Sequence, residues 1–120
     1  MTKSREKQLK VNALELVNEL SLSGDKEWFY GELKELLFTC SEEIPPEWFT
    51  FFGGTTALQS VNDVKIKKNT TESIILEFKA AFTEDYIVKS YDTDSKALRE
   101  GRFMLEISKS DGRITLSIPT

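Results

Sequence analysis

Four features carry residue types that could do chemistry. Gly53-Gly54-Thr55-Thr56 has the small residues of a phosphate-cradling loop. It lacks the GxxxxGK(S/T) spacing, and no apolar strand feeds it into a helix, so phosphate binding is not expected. Asp92-Thr93-Asp94 begins like a calcium loop. Lys96 then takes the fifth position, Ala97 the sixth, where glycine makes the sharp turn, and Phe103 the twelfth, where a bidentate Glu is needed. The acid pairs Glu42-Glu43 and Glu84-Asp85 could divide acid and base work only if two carboxylates were held apart in a pocket; read as loop residues, they are solvated. Serine and threonine are plentiful, but the 120 residues include no histidine to serve as base, and no SxxK spacing puts a lysine in its place. Missing histidine also removes the commonest transition-metal ligand, and Cys40 stands alone. No catalytic residue, metal or cofactor is expected, and the protein reads as non-enzymatic.

The chemistry that remains is recognition. Sixteen Lys and Arg against twenty Asp and Glu leave a formal charge of -4, which gives no global field for a phosphate backbone, so direct nucleic-acid binding is disfavoured. The acids are concentrated. From Val11 to Phe52 stand Glu15, Glu19, Asp25, Glu27, Glu32, Glu35, Glu42, Glu43 and Glu47, against Lys26 and Lys34 alone; residues 53–120 hold ten of each sign. Trp28, Tyr30 and Trp48 are interleaved with these acids, and such side chains make interface anchors when exposed. The expected partner surface is therefore Trp28, Tyr30, Glu32, Glu35, Glu42, Glu43, Glu47 and Trp48. Its carboxylates would steer a basic protein and its aromatics would supply buried contact. Solvated helix faces with the aromatics in the core are the competing arrangement.

The elements that must position these residues follow from apolar spacing. With 39% apolar and 30% charged residues, the chain is expected to form a single domain over 1–120, a helical half over 1–52 and an antiparallel sheet half over 53–120. Leu9, Ala13, Leu16, Val17 and Leu20 fit one helical face, which predicts a first helix over about 5–21 with Ser4 as N-cap and Gly24 beyond its end. Asp25 can cap a second helix whose stripe is Phe29, Leu33, Leu36, Leu37 and Cys40, with the thiol in the core. Ile44-Pro45-Pro46-Glu47-Trp48 stops that helix and can restart a short one anchored by Trp48, Phe49, Phe51 and Phe52.

Past Gly54 the period drops to two. Val64 and Ile66, then Ile74, Leu76, Phe78, Ala80 and Phe82, read as half-buried strands; the expected register sets Ile66 against Ile74, Val64 against Leu76 and Leu58 against Phe82, with 67–73 as the loop. In that loop Asn69-Thr70-Thr71 matches a glycosylation acceptor and reads more simply as a turn. Tyr86 to Tyr91 is a third strand, followed by a polar connection from Asp92 to Gly101. Asp111-Gly112 signals a two-residue turn with Ser110 facing Arg113, Ile107 facing Leu116 and Leu105 facing Ile118. The fold class is α+β, with N-terminal helices packed on one face of a four- to five-stranded antiparallel sheet.

Taken together, the acidic helical start, the Ile44-Pro45-Pro46-Glu47-Trp48 segment and the hairpins that follow resemble small bacterial immunity proteins of polymorphic toxin and contact-dependent growth inhibition systems. That resemblance covers general organisation and the one five-residue segment. It implies a cytoplasmic inhibitor, a monomer or weak dimer, that binds a toxin domain such as a basic nuclease. A phage-encoded inhibitor of a host defence nuclease and an acidic adaptor or regulatory subunit are the alternatives. The polar start, Met1 to Lys10, has no secretory apolar segment, and no run approaches the roughly 20 apolar residues of a membrane span, so no membrane association is expected.

Overall fold

Ile74, Leu76, Phe78, Ala80 and Phe82 are all buried, so one unbroken period-two series runs along the core face of a single strand. The structure, a computed structural model, describes residues 6–45, 48, 55–88 and 93–118. Along the chain these form strand β1 (Glu6–Asn12), helix α1 (Leu14–Ser23), helix α2 (Lys26–Thr39), a 3-10 turn (Ser41–Glu43) and strands β2 (Thr55–Asn69), β3 (Ser73–Val88), β4 (Thr93–Ser108) and β5 (Arg113–Ser117). The five strands make one antiparallel sheet in the order β1-β5-β4-β3-β2. Val17 and Leu20 of α1, Phe29, Leu33 and Leu37 of α2 and Cys40 at its C-cap share a core with β3, with Phe103, Leu105 and Ile107 of β4, and with Ile114 and Leu116 of β5. This is the α+β arrangement expected, helices on one face of an antiparallel sheet. Each fully buried Leu, Ile or Phe contributes roughly 1.5–3 kcal/mol by the apolar area it removes from water.

Three local expectations are corrected. The first helix begins at Leu14, and 6–12 is a strand paired with β5. Leu9 and Ala13 are buried as their pattern required, but a spacing of four satisfies both the helical and the strand period, so those two positions could not tell the periods apart. The helix start is set by Asn12, whose Oδ1 accepts from the Leu14 N–H at 2.8 Å. Ser4 lies outside the described residues. Gly24, in the left-handed conformation with φ 70°, ends α1, and Asp25 caps α2 by accepting from the Trp28 N–H at 3.1 Å, both as the sequence indicated.

Second, Tyr86 to Val88 is the end of β3 rather than a separate strand, 89–92 lie outside the described residues, and from Thr93 on the supposed polar connection is the first half of β4. Its partner explains this: β3 and β4 pair without a break from Ser73↔Ser108 to Val88↔Thr93, and ladder hydrogen bonds hold a segment whose own sequence has no apolar alternation.

Third, both hairpin registers differ. Leu58 faces Phe82 as expected, but β2 shifts register at three places, so that Ile66 faces Leu76 and the loop shrinks to 70–72. There the Thr70 hydroxyl accepts from the Glu72 and Ser73 N–H groups, which makes the turn. In the last hairpin Leu105 faces Leu116 and Ile107 faces Ile114, two residues off the expected register. A displacement of two leaves every side chain on its predicted face, so alternation could not detect it. Gly112, at φ 75°, closes a four-residue loop by donating its N–H to the Ser108 carbonyl at 2.8 Å.

Candidate functional site

On a helix that turns about 100° per residue, Phe38 lies about 180° from Phe29. Phe29 is buried, and Phe38 is accordingly turned outward, 43% exposed. Glu27, Gly31, Glu35 and Thr39 are exposed on the same outer side of α2, and exposed Glu42 follows in the 3-10 turn. The result is an outer side that carries carboxylates and one uncovered ring. Glu15 and Glu19 are exposed on α1, and so is Leu22 in its last turn, 84% exposed. Solvated carboxylates of this kind attract a cationic surface over a Debye length of about 8–10 Å, and an uncovered ring supplies apolar area once contact is made.

The residues expected to form the partner surface are divided by the structure. Glu35 and Glu42 are exposed and Glu32 is half-buried. Glu43 is half-buried and engaged, its Oε1 accepting from the Lys10 N–H at 2.7 Å and tying the 3-10 turn to β1. Glu47 lies outside the described residues, as do Phe49, Phe51 and Phe52. Trp28, Tyr30 and Trp48 are half-buried against the core rather than free as anchors. The Tyr30 hydroxyl accepts from the Ile66 N–H at 3.2 Å and so pins α2 to β2, and the Trp48 ring stacks near Phe103, centroids 6.5 Å apart. The reason is geometric: Trp28 and Tyr30 flank the buried Phe29 on either side of the stripe, at the seam between helix and sheet. Phe38 was available from the same spacing, as the large apolar residue that the stripe leaves out.

Glu84 is the other residue missed. It is not a loop carboxylate but a fully buried one in β3, with Arg99 of β4 directing Nε to its Oε1 at 3.3 Å. A carboxylate without solvent needs such a charged donor. On the opposite face of the sheet, Lys65, Lys67, Lys79 and Arg102 line a shallow groove of about 370 Å³. Three of these charges are shared with Glu77 and Asp63, at 3.9 Å from Lys67 to Glu77, 3.6 Å from Arg102 to Glu77 and 3.5 Å from Lys79 to Asp63, which makes a surface ion-pair network rather than an anion site. Cys40 is buried, and burial first, then the Glu43 charge, push its thiol up to about 11, which makes it a poor nucleophile.

No helix among the described residues is long and apolar enough to cross a membrane. Compared with protein-family models, with curated proteins and with solved structures, the chain matches none of them.

Proposed function

We propose that this chain is a non-enzymatic, protein-binding inhibitor, an immunity protein that neutralises a bacterial toxin domain by docking its acidic helical layer onto a basic surface such as the substrate groove of a nuclease. The observation that supports this reading is the outer side of α2, where exposed Glu27 and Glu35 share a face with the exposed Phe38 and exposed Glu42 follows in the 3-10 turn. Packing does not require an aromatic ring there, and Glu32 and Glu35, three residues apart on α2, repel one another by a few tenths of a kcal/mol. Both costs fall away against a cationic, partly apolar partner. Trp28, Tyr30 and Trp48 then act from behind, holding α2 against the sheet so that its outer side is presented rigidly.

An immunity gene sits immediately downstream of its toxin gene. Expression of the C-terminal domain encoded by the upstream gene should arrest growth of a bacterial host, and co-expression of this chain should restore it. Arrest that persists despite a stable complex would make the chain an adaptor, and no complex at all would refute the proposal.

A further inference from the structure

Among the described residues, β4 is paired on one side only from Thr93 to Phe103. β3 accompanies it throughout, whereas β5 stops at Ser117, opposite Met104. The direction of the free backbone groups can be worked out. Just past the β3–β4 ladder, and in its register, the Lys109 N–H donates to the Glu72 carbonyl at 2.9 Å, while the Ser108 carbonyl accepts from Gly112 on the other side. Odd-numbered residues of β4 therefore aim their N–H and C=O at β3, and Asp94, Lys96, Leu98, Glu100 and Arg102 aim theirs outward.

Open edges of this kind pair with other chains unless they are blunted. The opposite edge, β2, is blunted: it has register shifts at three places, a left-handed Asp63 at φ 54°, and exposed Lys65, Lys67 and Lys68. β4 has no register shift against β3 and carries Leu98, 61% exposed, at the middle of its open stretch.

We propose that a second copy of this chain occupies that edge, the two β4 strands pairing antiparallel about a two-fold axis at Leu98 to make one continuous sheet through both protomers. The sequence around Leu98 is complementary to itself. In this register Leu98 faces Leu98, Lys96 faces Glu100 and Asp94 faces Arg102, so every charged position on the outward series meets its opposite. A slip of two residues either way sets Lys96 against Arg102 or Asp94 against Glu100, like charges in both cases. Parity and charge thus select one register. The five facing pairs would each exchange two N–H···O bonds, roughly ten in all.

Sedimentation of the full-length chain between about 1 and 100 μM tests this. The wild type should form a dimer. Leu98→Pro removes an outward N–H and leaves the ladder to β3 whole, a change that an edge strand tolerates, and it should give a folded monomer. Lys96→Glu should raise the dimer Kd about tenfold or more at low salt, and adding Glu100→Lys should bring it back to within about threefold, because each dimer contains the pair twice. The charge variants keep the test decisive if the proline variant unfolds. A wild type that stays monomeric at 100 μM, a dimer indifferent to the charge swap, or one abolished by Phe38→Ala instead would overturn the proposal.

Discussion

Single side chains here carry consequences out of proportion to their neighbours. Tyr30→Phe removes the acceptor of the Ile66 N–H while keeping the ring, and should cost about 1 kcal/mol in a denaturant titration. Arg99→Met should cost more, roughly 3 kcal/mol, because it takes a charged donor away from a carboxylate with 0% exposure. Cys40 gives a pH signature. Its thiol ionises at about 9.0 when free and about 11 when folded, so above pH 9 the unfolded chain loses the proton first and stability declines as pH rises through 11. Relative to Cys40→Ala, the wild type should lose on the order of 2 kcal/mol over that window, read from unfolding curves at each pH. At this scale, legibility depended on whether a residue's environment is local. Cys40 is assigned by helical spacing alone, and Phe38, though passed over, follows from the same spacing. Glu84 is not, since beside Asp85 it looks like a solvated acid, and its burial and its Arg99 partner come from a strand that sequence spacing reads as a loop.

The junction between β1 and α1 shows how one element fixes another. The Ala13 N–H donates to the Gly112 carbonyl at 2.9 Å, the Asn12 amide donates to the Asp111 carbonyl, and the Asp111 carboxylate accepts from the Arg113 N–H at 3.0 Å, which holds that carboxyl below its usual range. A Cβ on Gly112 would meet Asn12 Oδ1 and Leu14 N and come within 2.7 Å of Leu14 Cα. Gly112→Val therefore combines a positive φ with a steric conflict and should destabilise the fold by about 2–3 kcal/mol, with a matching loss of Tm; a change below 0.5 kcal/mol would show that the two elements are not tied together here. Asp111-Gly112 announces a turn in the sequence, but its length and its contact with a distant helix start do not follow from the dipeptide. The strand pattern of β3 and the stripe of α2 were legible because each satisfies only one period. β1 and the first half of β4 were not, since pairing with β5 and β3 overrides weak local preference.

The molecule as a whole is long, 57 × 35 × 22 Å, with a radius of gyration of 16.0 Å against about 13.6 Å for a compact chain of this length. Long β3 and β4 account for the excess, and the helices load one broad side with acid. Changing Glu27, Glu35 and Glu42 together to Gln should leave Tm nearly unchanged, slow association with a cognate basic partner about tenfold at low salt and flatten the salt dependence. Phe38→Ala should act on dissociation instead, raising the off-rate about tenfold or more. An unchanged on-rate in the triple variant would move the partner surface off α2. The sheet's connectivity also has a consequence for biosynthesis. β1 is translated first, yet its partner is β5, with Glu6 set against Ser117. The β1–α1 junction also needs Gly112, so a nascent chain cannot complete that junction until the residues through Gly112 have left the ribosome. Ribosome-bound chains stalled before Arg113 should be cut readily by protease within 6–23, and release of the full chain should protect them. A sheet joined in this way closes in one step, only after β5 has been made.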